Sequence, residues 1–519
     1  MVSGGEALGA ATVANTIVQA EKRRHSTIVE LDRAGRSTHG QFMTPMNIAC
    51  LMAEMFDDFP EAVRVLDAGA GTGSLTAAFV KECCSRHKKV DSIHSTAFEL
   101  NDVLFRHLEE TLKDCVSIAE RENILFKSDF RHNDFIETAV SALNAGLFSE
   151  CSLEFDAAIL NPPYKKIRAQ SRERLLLQSI GLDATNLYAA FVALSIRLLR
   201  PGGQLVAILP RSFCNGPYFR LFRKQLLSEM TLKRIHVFDS RKDAFGDDGV
   251  LQENIIVHAV KAKPTGDPIQ VSLSKKGVNP ITSNIASYEE VVRSSNGDTF
   301  IYLPTGSSDA VLAEWMFSLP ATLGDLGIVV STGRVIDFRA KKYLLQKPEN
   351  STVPLIYPCH FSSGLVNWPK LEGKKPNAIL DCTDSRSLLI PKGYYVLVKR
   401  FSSKEERRRV VAVVYDPTRL NAERIGVENH INYYHAGGKG LDREFTFGLS
   451  VFLNSTPVDL FFRQFNGHTQ VNATDLRTFR YPNRVTLEQM GKIAVDRMPL
   501  SQYEIDEVVR TLLHSPPDS

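Results

Sequence analysis

From Val63 to Lys263 the chain alternates short apolar runs with stretches of helical periodicity. VRVLDAG (63–69), STAFELN (95–101), ILFKSDF (124–130), FDAAILN (155–161), GQLVAILP (203–210), KRIHVFD (233–239) and NIIVHAVKAK (254–263) each read as a strand, and most are near-continuous in Val, Ile, Leu, Ala or Phe. Such runs suit strands buried on both faces, in a sheet covered by helices on either side. The intervening patterns predict helices over Ser74–Ser85, Val103–Arg121, Leu187–Leu199 and Phe219–Glu229. This alternation builds a doubly wound α/β sheet. Seven strands fit one layer, and the loop-like connection from Ser240 to Glu253 lets the seventh return antiparallel.

Past KAKPTGDP (261–268) the alternation stops: Gly and Pro scatter, and strand-like runs such as GYYVLVKRF (393–401) and RVVAVVY (409–415) stand among irregular polar stretches. The expected division is a helical N-terminal extension (1–37), a sheet domain (38–265) and an α+β C-terminal domain (266–519) that closes with an amphipathic helix at QYEIDEVVRTLL (502–513). A length of 519 residues agrees with two cores, since one core rarely organises more than about 250–300. Apolar residues at 43% and charged residues at 23% exclude disordered and fibrous classes. The net charge of +3 favours no partner, because nucleic acid can still be bound through a local basic surface. No apolar run approaches the roughly 20 residues of a membrane span, and the charges that follow the mildly apolar start reverse a secretory signal. A cytoplasmic protein without membrane association is expected. The eight cysteines contain no C-x-x-C pair, and adjacent Cys83 and Cys84 suit a helix. Buried, inert thiols and no metal are expected.

The candidate chemistry begins at Leu66-Asp-Ala-Gly-Ala-Gly-Thr-Gly73, which follows a strand and opens a helix. Glycines at 69, 71 and 73 let the backbone run close beneath a ligand and present amides at a helix N-terminus. A dinucleotide, S-adenosylmethionine or a ligand-free tight connection all suit this turn. The second strand ends at Phe98-Glu-Leu-Asn101, setting Glu99 beside the glycines, where a carboxylate can accept both hydroxyls of a ribose. The third strand ends with Asp129 and Phe130, an acid for an adenine amino group and a ring to lie against the base; Asn133-Asp-Phe-Ile136 is a rival five residues on. Spacing from Ile124 and Phe126 favours Asp129.

The fourth strand stops at Asn161-Pro-Pro-Tyr164. Two prolines cannot continue a central strand, so this turn leaves the sheet at its carboxyl edge. Together, Asp67-Ala-Gly-Ala-Gly-Thr-Gly73 and Asn161-Pro-Pro-Tyr164 resemble the S-adenosylmethionine-dependent methyltransferases that act on adenine N6. His39-Gly-Gln-Phe-Met-Thr-Pro45, ahead of both, resembles the extra motif of their gamma class, as found in modification methylases of type II restriction–modification systems. The resemblance implies a class I methyltransferase sheet carrying a target-recognition domain. Thr44 and Pro45 would line the methionine end of S-adenosylmethionine, Asp67 and the glycines its backbone, and Glu99 its ribose. Asn161, Pro162, Pro163 and Tyr164 would act on the base. The class often has a second aromatic before its seventh strand. Here Gly249-Val-Leu-Gln-Glu-Asn254 offers only Val250 and Leu251, unless Phe213 or Phe245 reaches in.

The lone pair of adenine N6 is delocalised into the ring. The Asn161 side-chain oxygen and the Pro162 carbonyl can accept its two N–H bonds and free that pair, while Tyr164 stacks on a base flipped from the duplex. Ser331–Arg339, Lys399–Ser403, Glu428–Asn432 and Phe465–Arg477 resemble target-recognition segments. Within them Lys399, Arg400, His468, Gln470 and Asn472 are the candidate contacts to phosphates and base edges. The basic run through Lys404, Arg407, Arg408 and Arg409 can equally be a solvated helix capped at Ser402 or Ser403. The expectation is a monomer that methylates double-stranded DNA and so protects it from a cognate restriction endonuclease, a separate protein whose contact is not required. A protein-glutamine or RNA-adenine methyltransferase, or an inactive DNA-binding protein, are the alternatives.

Overall fold

In the computed structural model, residues 18–514 are described except for 29, 32–41, 146–152, 241–252, 275–280, 296, 421 and 468. Two compact units divide the chain, Met1–Gly306 and Ser307–Ser519.

The first unit is built on β1 (Ala62–Ala68), β2 (Ser92–Phe98), β3 (Leu125–Arg131), β4 (Phe155–Leu160), β5 (Leu199–Pro210), β6 (Thr231–Phe238), β7 (Asn254–Val260), β8 (Ile269–Ser274) and β9 (Ile281–Ala286). They form one sheet in the order β3-β2-β1-β4-β5-β7-β6-β8-β9. The chain runs outward from β1 through β2 and β3, then returns to pair β4 with β1 on its other side, both connections parallel. This reversal opens a crevice at the carboxyl ends of β1 and β4, where open α/β sheets hold their ligands. β7 inserts antiparallel between β5 and β6, as its loop connection suggested.

Helices α1 (Met46–Glu54), α2 (Ser74–Ser85), α3 (Asp102–Arg121), α4 (Phe135–Ala145), α5 (Arg172–Ser179), α6 (Leu187–Leu198) and α7 (Arg220–Glu229) cover the sheet. Alternation along β1 explains the two layers. Val63 and Val65 join Met52, Phe79, Leu108 and Cys115 in one buried cluster, whereas Leu66 and Ala68 join Phe135, Val192 and Leu226 in the other. Burying both faces is what makes these strands apolar throughout.

The expected boundary near residue 265 is corrected. β8 pairs parallel with β6, and β9 pairs antiparallel with β8, so the first unit runs to Gly306. Of the N-terminal extension, residues 18–28 are helical.

The second unit contains two small sheets. One orders Val329–Thr332, Ile431–His435, Tyr395–Lys399, Ala412–Tyr415, Leu365–Val366 and Phe361–Ser362; the other orders Leu344–Leu345, Ala378–Leu380, Thr352–Ile356, Arg424–Val427 and Leu389–Pro391. Helices Arg443–Leu453, Thr456–Phe465, Ala473–Thr478, Arg484–Ala494 and Gln502–Leu513 follow. The last matches its predicted span, opened by a capping box between Ser501 and Glu504. Cys83, Cys84, Cys115 and Cys214 are buried as expected, but Cys359 is exposed and Cys50 and Cys382 are partly so.

Candidate active site

The glycine turn is laced to the second strand: Gly69 N and Ala70 N both donate to Phe98 O, at 3.0 and 2.8 Å. Gly73, at φ +84°, is the N-cap of α2. A Cβ there would lie 3.0 Å from Leu108 Cδ1 and 3.1 Å from Thr111, so a side chain would be strained by the backbone conformation and crowded by its neighbours. The Gly73 N-cap has no side chain to offer α2; the Asp67 carboxylate takes the Thr76 amide, and amides at a helix N-terminus suit the polar groups of a ligand.

Glu99 is buried, and its carboxylate accepts from Gly71 N (2.9 Å) and Asn101 N (2.8 Å). Burial raises its pKa, and the backbone amides that reach it work against that rise. Asp67 lies deeper. It is fully buried, accepts from Thr76 Oγ1 at 2.7 Å, and burial pushes its carboxyl up to about 7. It does not line the cavity; its place is beneath the turn.

The cavity above these residues is lined by Phe42, Met43 and Thr44, by Gly69 to Thr72, by Phe98, Glu99 and Leu100, and by Asn133, Phe135, Asn161, Pro163 and Phe191. Pro45 instead sets the N-cap of α1, its carbonyl accepting from Ile48 N and Ala49 N. Asn161 follows β4, and its amide nitrogen donates to Phe42 O (2.7 Å) and Thr44 Oγ1 (3.0 Å). With both amide hydrogens engaged on that side, the side-chain oxygen is turned away as the acceptor. The segment that fixes this orientation is itself held. Glu21, on the 18–28 helix, accepts from Met46 N at 3.0 Å and from buried Arg24.

Pro162 is buried. Tyr164 places its ring 5.8 Å from that of Phe42 and donates its hydroxyl to Ile208 O at 3.3 Å. Burial raises the phenol pKa, so the ring is neutral. Phe213 is excluded as the second aromatic, being 1% exposed in the core beside Phe222. Phe245, Val250 and Leu251 fall outside the described residues. Phe42 lines the cavity together with Phe98, Phe135 and Phe191, and only its place in the motif before α1 signals it.

The preference for Asp129 over Asp134 is not what the geometry supports. Asp129 takes Arg131 in an ion pair at 2.6 Å, Phe130 packs on Phe105, and neither lines the cavity. Asn133 and Phe135 do. Asp134 sits between them and caps α4, accepting from Glu137 N at 3.0 Å. Strand length misled the sequence reading: β3 extends to Arg131, so the chain turns over the carboxyl edge only at 132–134.

In the second unit, the four target-recognition-like segments meet. Gly333 N donates to Ile431 O, Arg400 N to His430 O, and Val471 N to Arg400 O, all within 2.7–2.9 Å. Arg400 also donates to Asn429 O (3.1 Å) and Gln470 Oε1 (3.3 Å). Lys399 is ion-paired with Glu406 at 2.6 Å, and Asn472 caps Ala473–Thr478 through a box with Asp475. His468 falls outside the described residues. The run Lys404–Arg409 forms a turn rather than a capped helix. Buried Arg409 donates to Ser402 Oγ and Asn466 Oδ1, and Arg408 donates to Ser455 O. Those two guanidiniums hold the fold.

The sheet with its antiparallel β7, the glycine turn, the buried Glu99 and the Asn-Pro-Pro-Tyr turn define a class I methyltransferase, whose methyl donor is S-adenosylmethionine. The Eco57I restriction-modification methylase family matches residues 52–245. Type II methyltransferase M.PstI of Providencia stuartii is 46% identical over 485 residues, covering 93% of this chain and 94% of that one. M.BsuBI of Bacillus subtilis is 43% identical over 486 residues, covering 92% and 94%. The chain belongs to this family, the type II DNA methyltransferases of restriction–modification systems. Among solved structures, a DrdV–DNA complex shares 13% identity with a TM-score of 0.48, covering 91% of this chain and 59% of that one.

Proposed function

We propose that the chain methylates adenine at N6 within a short duplex sequence, taking the base out of the helix into the cavity above β1 and β4. The observation that carries this reading is the Asn161 amide. Its two hydrogens are engaged by Phe42 O and Thr44 Oγ1, which leaves its oxygen as an acceptor fixed before any substrate arrives.

The residues present suit S-adenosylmethionine. Glu99, held beside the glycine turn by the Gly71 and Asn101 amides, would take the ribose hydroxyls. The positive-φ glycines allow close backbone approach. The Asn133–Phe135 turn would hold the adenine, with Asp134 as acceptor for its amino group and Phe135 against its face. Thr44 would line the methionine end. When bound, S-adenosylmethionine supplies an electrophilic methyl on a sulfonium.

The protein's task is to make the exocyclic nitrogen nucleophilic. Asn161 Oδ1 and the Pro162 carbonyl accept its two N–H bonds, drawing it from planarity so that its lone pair points at the methyl carbon. With S-adenosylmethionine supplying the methyl group, positive charge would build on the adenine nitrogen. Acceptors already aimed there stabilise it without reorganisation, and one N–H proton then passes to solvent. Holding the base and the methyl donor together in one cavity would contribute further. The neutral Tyr164 ring offers a face for the flipped base, whose removal from the stack costs a few kcal/mol. We further propose that the protein works as a monomer, and that any cognate endonuclease is a separate chain reading the same sequence.

Asn161→Ala tests the assignment. Methyl transfer to adenine should disappear while S-adenosylmethionine affinity stays within several-fold of normal. Near-normal turnover would refute the role. Transfer by the unaltered protein to a protein amide or to RNA, with DNA left unmodified, would replace the substrate.

A further inference from the structure

In the second unit an aromatic ring and an imidazole stand together at the surface. Phe401, 38% exposed, follows the strand Tyr395–Lys399, and His430 lies in the turn between Arg424–Val427 and Ile431–His435. Their ring centroids are 4.7 Å apart, and the Arg400 guanidinium lies 5.9 Å from the centre of the Phe401 ring.

Beneath them, Glu428 is committed to this pair. Its side chain is 1% exposed, against 45% for His430. One oxygen accepts from His430 Nδ1 and the other from His430 N at 2.9 Å. Burial raises the Glu428 pKa, and its contacts with His430 act against that rise. The fold makes room for the arrangement. A Cβ on Gly333 would lie 2.1 Å from Glu428 O, so only glycine lets the 331–339 segment close over this turn.

Burying a carboxylate costs several kcal/mol unless it is compensated, and ordering an exposed histidine adds nothing to a core. What the brace achieves is geometric. With Nδ1 turned inward, Nε2 is the atom presented to solvent, fixed beside an exposed ring and a guanidinium. A directed ring nitrogen, an aromatic face and a cation are the groups that meet DNA phosphates, base edges and sugars.

Resting on the reading of the chain as a DNA methyltransferase, we propose that Arg400, Phe401 and His430, with Glu428 as their positioning residue, form a contact surface for the target duplex. His430 Nε2 meets a polar atom of the DNA and the Phe401 ring lies against the adjoining sugar or base. None of these residues is among those lining the methyl donor's cavity; the surface serves binding and sequence choice.

The test uses the full-length protein, a duplex carrying its modified site and a scrambled duplex, with affinities measured by fluorescence anisotropy over a salt series. His430→Ala and Phe401→Ala should each weaken binding of the cognate duplex by about tenfold or more, with S-adenosylmethionine affinity unchanged. A phosphate or sugar contact lowers affinity for both duplexes alike; a base-edge contact lowers only the cognate affinity. Either pattern supports the surface. Glu428→Gln keeps the volume but loses the charged acceptor, and should weaken binding as His430→Ala does. The double variant should be no worse than His430→Ala alone, a non-additivity that general destabilisation does not produce. Cognate binding within twofold of normal for both His430→Ala and Phe401→Ala overturns the proposal while leaving the enzyme's function intact. Failure of the unaltered protein to bind or modify either duplex removes the functional reading beneath it.

Discussion

Replacing Thr44 with valine tests whether the Asn161 amide is oriented before substrate binds. The two side chains have nearly the same shape, and Thr44 is only 5% exposed, so packing is preserved. What is lost is the acceptor 3.0 Å from Asn161 Nδ2, leaving Phe42 O at 2.7 Å. A neutral hydrogen bond of this kind contributes about 1 kcal/mol net, and an amide hydrogen left unpaired in a half-buried site costs about 1–3 kcal/mol. Flipping the amide offers no escape, because its oxygen would then face the Phe42 carbonyl. A loss of about 1–2 kcal/mol from the transition state corresponds to a rate about 5–30-fold lower. The assay is single-turnover methyl transfer to a cognate duplex at saturating S-adenosylmethionine, which removes any effect of Thr44 on cofactor affinity. Thr44→Ser, which keeps the hydroxyl, should restore most of the rate. A valine variant within twofold of normal at saturation would refute the reasoning, since one acceptor would then suffice.

Asp134→Asn should weaken S-adenosylmethionine binding more than Asp129→Asn, because the 133–135 turn reaches the cavity and Asp129 is occupied by Arg131; calorimetry giving the reverse order would restore Asp129. Gly73→Ala should destabilise the fold by about 1–3 kcal/mol from its positive φ alone, with crowding against Leu108 and Thr111 adding to it; an unchanged melting temperature would contradict both. The Asp67 carboxyl is raised to about 7 from an ordinary 3.8, so the folded chain keeps a proton that the unfolded chain releases. Its stabilising effect is full below about pH 4 and fades as pH rises through 7, by an amount on the order of 3–4 kcal/mol. Asp67→Asn should flatten that part of the stability profile in denaturant titrations, and parallel profiles between pH 4 and 8 would place the pKa elsewhere.

The strands and helices that sandwich the sheet were legible because burial on both faces makes them apolar throughout. α2 and β4 match their predicted runs closely, β4 stopping one residue earlier at Leu160. β2 was read three residues late, since Ser92 and His94 interrupt its apolar start. β8 and β9 were missed because strands near a sheet edge alternate polar with apolar positions, as Gln270 and Ser272 do beside Val271. That omission moved the domain boundary from Gly306 to residue 265. The glycine turn, Glu99 and Asn161 were legible as motifs, since their chemistry depends on residue type and order. The partners of Asn161 were not, because Phe42 and Thr44 stand well over 100 residues away and only the tertiary fold brings them to it. Charge runs were the least informative. The basic run left a phosphate-binding stretch and a solvated helix equally open, because the partners of Lys399, Arg408 and Arg409, namely Glu406, Ser455 and Asn466, lie on other turns and helices that a linear pattern cannot place.

Methylation mapping of plasmid DNA from cells expressing this protein, beside cells expressing Asn161→Ala, bears most directly on the central claim. N6-methyladenine confined to one short motif, present with the unaltered protein and absent with the variant, is the expected result. Modification at cytosine, or persistence of the adenine mark in the Asn161→Ala cells, would contradict the assignment of the Asn161–Tyr164 turn as the adenine-acting site.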